Sequence, residues 1–157
     1  MSKLGLIIDS REKHPLQFSP DIYGTDHITY VDKLDAGDYS LAGHDRPNDD
    51  NSIIFERKMS CAELITDLGQ EWTQFETRLK ILSSYCYKSI LVCANECFWS
   101  IYNNGLTKLH PNFVFSRLSY IYINYQIPTL FLVSRANVEN YIWRCFIKVV
   151  EKTRNDT

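Results

Sequence analysis

Three consecutive charged residues, Glu56, Arg57 and Lys58, directly follow the apolar residues 53–55. This pattern predicts a buried strand that presents charged side chains at its end. Because strand side chains alternate between two faces, Glu56 and Lys58 are expected on one face and Arg57 on the other. A carboxylate and an ammonium group would then stand side by side.

A second carboxylate belongs to Asp38, which follows Gly37 in a predicted turn. The alternating residues 39–42 come next, so Asp38 is expected to begin a strand that pairs with residues 53–56. Asp35 is a competing candidate for a metal-binding role, but only Asp38 directly begins that strand. Two carboxylates on adjacent strands can bind a hard divalent cation, and a nearby lysine can orient or deprotonate an attacking water. The arrangement is suited to metal-assisted phosphodiester hydrolysis.

A third charged cluster, which contains Asp9, Arg11 and Glu12, follows the apolar residues 4–8. Those apolar residues do not alternate with polar ones, which is typical of a strand covered on both faces in an α/β sheet. A Glu-Arg-Lys run taken by itself is also typical of a solvated strand end, and charged loop residues are also typical of a surface ion pair. Two buried strands that both end in mixed acid and base favour a functional site.

The order of these three clusters resembles the nuclease domain of the XPF-type structure-specific endonucleases, a branch of the restriction-endonuclease-like fold. The family signature is Gly-Asp, a variable spacer, Glu-Arg-Lys, three residues and then Asp. Gly37, Asp38 and residues 56–58 match this signature as they stand. The last position departs from it, because Ala62 occupies that place and Glu63 follows. The resemblance covers roughly residues 4–150.

Glu63 has two interpretations. It fills the vacant acidic position after an insertion of one residue, or it forms a capping box with Ser60 at the start of the next helix. The apolar helical pattern begins directly afterwards at Leu64 and favours the capping box.

The resemblance implies an α/β fold with a restriction-endonuclease-like central mixed sheet flanked by helices, in a single domain. The nuclease domain is expected at residues 1–150 and a polar C-terminal tail at residues 151–157. The activity implied is that of a metal-dependent endonuclease, which hydrolyses phosphodiester bonds.

The resemblance also implies roles for the clustered residues. Asp38 and Glu56 would hold Mg²⁺ or Mn²⁺, with Asp9 assisting metal binding. Lys58 would position the water and stabilise the developing charge on phosphorus. These residues, together with Arg57, make up the expected catalytic set.

Arg57 points away from the Glu56 face if the strand is regular, which favours a role in locking the loop at Arg11 and Glu12 over a contact with phosphate. By the resemblance, Arg11 and Glu12 shape the substrate side, although Glu12 fits a loop ion pair nearly as well. Arg78 lies on the polar side of a predicted helix, where it is a candidate for phosphate contact. An ordinary solvated side chain is the default interpretation of Arg78, because two glutamates on the same helix weigh against DNA contact.

By the same resemblance the substrate is DNA at a branch, flap or duplex junction. Two rival hypotheses remain: a catalytically inactive nuclease-fold subunit for dimerisation or DNA positioning, and a nuclease that acts on simple duplex DNA. Retention of Asp38, Glu56, Arg57 and Lys58 argues against an inactive subunit. Members of the family often carry a further DNA-binding module, so a partner that supplies DNA affinity is expected.

The 157 residues carry a formal net charge of -2, which argues against a chain that coats nucleic acid by bulk electrostatics. A nuclease remains compatible with this charge, because bound cations neutralise an acidic site. Five cysteines without a paired ligand spacing argue against a zinc site and favour free thiols. No signal peptide or membrane span is recognisable. An intracellular protein is therefore expected, nuclear in a eukaryote and otherwise cytoplasmic, with no membrane partner.

The rest of the chain predicts strands that alternate with helices, as in a sheet with right-handed crossovers. One helix is predicted across residues 60–83, with Gly69 as its weak point and the candidate position of a kink. The other predicted elements are strands at residues 27–31, 89–94 and 129–133, a short helix and loop at residues 95–107, and helices at residues 110–125 and 138–149.

Two aromatic helices near the C-terminus carry more large side chains than a small sheet needs to cover. Either they form an exposed interface for a homodimer or a heterodimer with a related subunit, or they complete a well-covered core. The residues concerned are Tyr120, Tyr122, Tyr125, Tyr141, Trp143 and Phe146.

Overall fold

The structure is a computed structural model and describes residues 3–94, 105 and 107–156. These residues form one six-stranded sheet and five helices. The strands are β1 (Leu4–Asp9), β2 (His27–Asp32), β3 (Tyr39–Leu41), β4 (Ile53–Lys58), β5 (Tyr87–Cys93) and β6 (Thr129–Leu132). The helices are α1 (Pro20–Tyr23), α2 (Cys61–Leu68), α3 (Trp72–Leu82), α4 (Pro111–Tyr125) and α5 (Arg135–Asn155).

The sheet has the strand order β2-β1-β3-β4-β5-β6 and is mixed. Strand β3 is antiparallel to both of its neighbours, β1 and β4, whereas the remaining pairs are parallel. Strands β1 and β4 therefore run in the same direction, and their carboxyl ends meet the amino end of β3 at one edge of the sheet. This geometry gathers the three charged clusters of the sequence. The expected central mixed sheet flanked by helices is confirmed.

The two faces of the sheet carry separate apolar clusters. Alternation along β4 sends Ile54 to the face covered by α2, α3 and α4, and sends Phe55 to the face covered by α5. Both side chains are almost fully buried. With helices on each face, β4 and β5 are central strands, and this explains their continuous apolar sequences.

The single helix expected across residues 60–83 is wrong, because the chain forms two helices, α2 and α3, with a break after Leu68. Gly69 lies against Leu109, and a Cβ atom at this glycine would stand 2.7 Å from Leu109 Cδ1. The break thus coincides with a close approach, where an added Cβ would require the Leu109 side chain to shift. The predicted apolar stripe persists through both helices, and five of its members are buried: Leu64, Leu68, Phe75, Leu79 and Leu82.

The segment expected as a polar tail continues α5, which ends at Asn155. Lys152 anchors this last turn, because its Nζ donates a 2.6 Å hydrogen bond to the Tyr87 hydroxyl on β5. Lys152 and Arg154 also place positive charge at the carboxyl end of the helix, where the helix dipole favours it. The polar sequence is therefore compatible with an ordered helix end.

The two aromatic helices differ in exposure. On α5, Trp143 and Phe146 belong to the core, whereas Tyr120 and Tyr122 on α4 are exposed. The short helix and loop predicted at residues 95–107 fall outside the described residues, apart from 105 and 107. Among the residues that the structure describes, no helix combines the length and hydrophobicity that crossing a bilayer requires.

Candidate active site

A cleft of about 370 Å³ opens at the sheet edge where the three strand ends meet. Two backbone hydrogen bonds hold those ends together: Asp9 N–H donates to Asp38 O at 2.8 Å, and Asp38 N–H donates to Phe55 O at 2.7 Å. The side chains of the three clusters therefore project from positions fixed by the sheet. Residues from all three clusters line the cleft, and Arg78 from α3 joins them.

Gly37 allows Asp38 to enter the site. Its backbone has φ +76°, and a Cβ atom there would lie 2.6 Å from Ile54 Cγ1 and 3.0 Å from Phe55 O. Only glycine tolerates both the left-handed conformation and the contact with β4. Asp38 Oδ2 then accepts a 2.6 Å hydrogen bond from Arg57 N–H, which aims the carboxylate along β4.

Asp38 and Glu56 bring two carboxylates into one poorly solvated place. Burial raises the pKa of Asp38 well above its usual range, and the nearby Glu56 carboxylate raises that pKa further. The backbone N–H of Arg57 and the Lys58 charge act in the opposite direction without cancelling the effect. Two such carboxylates repel each other, and a positive charge between them would relieve the repulsion.

Lys58 lies between two carboxylates. Its Nζ stands 2.6 Å from Glu56 Oε1 and 2.6 Å from Asp67 Oδ2, and it lies 4.8 Å from the centre of the Phe75 ring. Burial lowers the pKa of Lys58, but attraction by Glu56 and Asp67 outweighs it and keeps the pKa above the ordinary lysine value. The side chain is a fixed ammonium group, so this geometry supports orienting a water over deprotonating it.

Asp67 is a member of this cluster that sequence reasoning missed. It lies on α2, is 8% exposed and contacts Arg78 as well as Lys58, with Oδ1 3.5 Å from Arg78 Nη2. A sequence signal was available, because Asp67 follows Leu64 by three residues and so falls on the buried side of the helix. A carboxylate on an apolar stripe requires a buried partner.

Arg78 reaches the cleft from α3. Its Nε lies 3.7 Å from Glu56 Oε1 and its side chain is 37% exposed. The Nε–H group is buried and has no hydrogen-bond partner among the described residues. The exposed part of this side chain places positive charge at the cleft wall, where it can attract an anion.

Arg57 lies on the strand face opposite Glu56, as the alternation of β4 predicts. Its Nη2 lies 3.0 Å from Glu12 Oε2 and donates a 2.8 Å hydrogen bond to His14 O. The guanidinium also stands 6.0 Å from the centre of the Tyr39 ring. Arg57 thereby ties the loop after β1 to the end of β4.

Asp9 and Arg11 form a two-pronged ion pair at the rim of the cleft. Arg11 Nε donates to Asp9 Oδ1 at 2.7 Å and Nη2 donates to Oδ2 at 2.8 Å, while Leu34 N–H donates to Oδ2. Burial raises the pKa of Asp9, but these hydrogen bonds outweigh it, and the pKa falls below its usual value. Both carboxylate oxygens are engaged, so a metal-binding role for Asp9 stays a prediction.

In the part of the chain that the structure describes, no group of three or more His, Cys, Asp or Glu residues is placed to hold a metal ion. The candidate ligands for a cation at this edge are the carboxylates of Asp38, Glu56 and Asp9, which line the cleft, with further ligands from solvent or substrate.

Glu63 has the geometry of a cap. Ser60 Oγ accepts a 3.2 Å hydrogen bond from Glu63 N–H, and Glu63 Oε2 accepts a 2.6 Å hydrogen bond from Met59 N–H. These bonds satisfy donors at the start of α2, as the capping interpretation predicts. Ala62 is exposed and offers no carboxylate.

No protein-family model matches the sequence. No curated protein is significantly similar to it. The fold has relatives among solved structures: XPF from Aeropyrum pernix aligns with a TM-score of 0.64 over 90% of this chain. XPF from the same organism in complex with DNA aligns with a TM-score of 0.69 over 96% of this chain.

The chain has the fold of XPF. The expected XPF-type fold is thereby confirmed. Sequence identity to the two XPF structures is 16% and 18%, so the similarity establishes the fold and leaves activity to the site. The chain spans 59% and 66% of the lengths of those two XPF chains.

Proposed function

We propose that this protein is a divalent-metal-dependent DNA endonuclease that hydrolyses phosphodiester bonds. The observation that carries the proposal is the pair of carboxylates, Asp38 and Glu56, at the edge of the sheet with the Lys58 ammonium 2.6 Å from Glu56. This combination of two acids and a lysine lines an open cleft on the fold of XPF.

The donor set fits Mg²⁺ or Mn²⁺. Carboxylate oxygens are the ligands that hard divalent cations prefer, and two of them supply enough charge when water completes the coordination. Because the charges of Asp38 and Glu56 repel each other, a cation bound between them would be stabilised. When bound, such a cation would polarise the phosphoryl group and lower the pKa of a water molecule.

The remaining side chains have roles that follow from their positions. Lys58 is a fixed ammonium group beside Glu56 and would stabilise negative charge that develops on the phosphoryl oxygens. Arg78, with a side chain 37% exposed, and Arg11, with a side chain 56% exposed, offer positive charge to a phosphate at the rim of the cleft. Glu12 acts through Arg57 and keeps the loop after β1 in place.

DNA is the proposed substrate, because one of the XPF structures is a complex with DNA and the cleft combines acid and base. Branched, flap or junction DNA is proposed over simple duplex, on the strength of the Gly-Asp and Glu-Arg-Lys signature. The net charge of -2 leaves little bulk attraction for DNA. A partner is therefore proposed to supply part of the affinity.

A second copy of this chain or a related subunit is the proposed partner. The edge strand β6, the residue that follows it and the outer side of α4 expose large apolar residues that a monomer would leave in water: Tyr120, Tyr122, Ile123, Phe131 and Val133. An apolar surface of this kind is typical of an interface between subunits. Sedimentation velocity of the purified chain tests this proposal, with Ile123→Glu as the variant expected to keep the chain monomeric.

Cleavage of labelled flap, fork and linear duplex DNA tests the activity, with Mg²⁺ or Mn²⁺ and with a chelator. Asp38→Asn and Glu56→Gln should abolish metal-dependent cutting. Asp35→Asn is the matched control, because it makes the same change in an exposed residue on the same loop. Equal cutting of linear and branched DNA would remove the structure-specific part of the proposal. A folded chain that binds metal and cuts nothing would favour an inactive or partner-dependent subunit.

A further inference from the structure

Lys58 and Glu56 contact each other closely in a site where Glu56 is also a proposed metal ligand. Lys58 Nζ lies 2.6 Å from Glu56 Oε1, and both side chains are buried. An ammonium group at this distance competes with a cation for the charge of the same carboxylate. A second acid that pairs with Lys58 would reduce this competition for the Glu56 carboxylate.

Asp67 is placed to be this second acid. Its Oδ2 lies 2.6 Å from Lys58 Nζ, on the side supplied by α2, whereas Glu56 approaches from β4. Glu56 and Lys58 line the cleft, while Asp67 lies behind them and is 8% exposed. Asp67 thus contacts the lysine without forming part of the cleft wall that the structure describes.

Asp67 also contacts the second basic side chain of the cleft, Arg78. Its Oδ1 lies 3.5 Å from Arg78 Nη2, so each oxygen of one carboxylate faces a different basic side chain. The Phe75 ring lies beneath both cations, 4.8 Å from Lys58 Nζ and 5.3 Å from Arg78 Cζ. Asp67 and Phe75 thus both contact the two basic side chains and hold them in place at the cleft.

We propose that Asp67 is a positioning residue that holds the Lys58 ammonium and the Arg78 guanidinium, so that the Glu56 carboxylate is available to a divalent cation. This inference rests on the proposed function and assigns a new residue to that site. Asp67 supplies the acid that α2 brings to the cluster, in a helix where Ala62 has no carboxylate and Glu63 is engaged as a cap.

A double-mutant cycle on metal binding tests the inference without using activity. Mn²⁺ affinity is measured by titration calorimetry on the unaltered chain, Asp67→Asn, Lys58→Met and the double variant. With Lys58 present, Asp67→Asn should weaken Mn²⁺ binding about fivefold, because the lysine then relies on Glu56. In the Lys58→Met background the same substitution should weaken binding less than about twofold.

Two further variants complete the design. Asp67→Glu keeps the carboxylate and should recover part of the lost affinity. Glu71→Gln changes an exposed acid just beyond α2 and should bind Mn²⁺ as the unaltered chain does. Thermal unfolding of each variant in chelator shows whether it is folded at the temperature of the titration.

The outcomes separate this inference from the proposed function. An equal loss of Mn²⁺ affinity in both backgrounds would overturn the inference, because Asp67 would then act on the cation or the fold directly. Unchanged affinity in Asp67→Asn would overturn it as well. If Mn²⁺ affinities follow the predicted double-mutant cycle but the chain cleaves no DNA, the positioning role of Asp67 is supported and the proposed nuclease activity is rejected. Absence of Mn²⁺ binding by the unaltered chain would overturn both.

Discussion

Arg57 and Glu12 form a buried ion pair, with Nη2 3.0 Å from Oε2, that joins the end of β4 to the loop after β1. The pair lies on the strand face away from Glu56 and Lys58. Arg57 also donates to His14 O, so one guanidinium holds the loop at two points. Arg57, the middle residue of the Glu-Arg-Lys run, thus makes these contacts within the protein.

Removing one partner of this pair leaves the other charge buried without compensation. Glu12→Gln should therefore lower the free energy of unfolding by about 3 kcal/mol, measured by chemical denaturation. Replacing both partners, as in Glu12→Gln with Arg57→Met, should cost less than the sum of the single changes. Additive losses in this cycle would show that the pair is not coupled.

Local periodicity predicted the strands and brought Asp38 beside Glu56, whereas the resemblance to XPF-type nucleases implied the mixed sheet and the place of the Asp9 cluster. Alternation in residues 53–58 assigns Glu56 and Arg57 to opposite faces, and the structure places them so. The apolar runs identify the strands because central strands are buried on both sides. The Gly37-Asp38 pair marks the turn into β3 because only glycine fits there.

The features that sequence reasoning missed depend on contacts between distant residues. The break between α2 and α3 lies at Gly69, which touches Leu109, and that approach leaves no mark on the periodicity. Asp67 joins the site only because α2 packs beside the end of β4, so its ion pair with Lys58 spans two elements. The order of α5 up to Asn155 depends on Tyr87, in a strand far away in sequence.

Gly37→Ala should disturb the site through packing as well as through the backbone. Its Cβ would lie 2.6 Å from Ile54 Cγ1, so the turn that carries Asp38 must shift. Gly43→Ala is a matched control, because Gly43 has φ +82° and an added Cβ meets nothing within 4 Å. We expect a loss of about 1 kcal/mol in the control and about 3 kcal/mol at Gly37, measured by chemical denaturation. Equal losses would show that the close contact is not limiting.

Tyr85 gives the protein a defined sensitivity to alkali. Its buried hydroxyl donates a 2.9 Å hydrogen bond to Asp45 O, and burial, assisted by the charges of Asp35 and Asp45, raises the pKa of Tyr85 from 10.0 to about 12. Between these two values the folded state keeps a proton that the unfolded state has released. The stability that Tyr85 contributes is therefore complete below pH 10.0 and is lost as the pH rises towards 12.

Tyr85→Phe separates this effect from the hydrogen bond. Near neutral pH the variant should be less stable by about 1 kcal/mol, because it lacks the bond. Above pH 10.0 the difference should shrink by up to about 1.4 kcal/mol per pH unit, since only the unaltered chain has the phenol. Chemical denaturation across this pH range measures both values. A difference that stays constant with pH would contradict the assignment.

Asp38→Asn should make the protein more stable than the unaltered chain without metal and less stable than it with metal. The folded-state pKa of Asp38 lies above the ordinary value of 3.8, so the folded chain binds a proton that the unfolded chain has lost. Stability therefore falls as the pH rises from 3.8 through the raised pKa, so that the Asp38 carboxyl group makes the metal-free protein less stable at neutral pH than at pH 3.8. In chelator, the variant should be more stable by about 1 kcal/mol.

Metal binding should invert that order. At a free Mn²⁺ concentration of about 100 times the dissociation constant, binding stabilises the unaltered chain by about 2.7 kcal/mol, whereas a chain that lacks one ligand gains less. Thermal unfolding with and without Mn²⁺ measures both effects, and Asp35→Asn should follow the unaltered chain under both conditions. If Asp38 binds the cation, saturating Mn²⁺ should stabilise the unaltered chain more than the variant and offset the repulsion between carboxylates. A variant that stays more stable than the unaltered chain in saturating Mn²⁺ would show that Asp38 does not bind the cation.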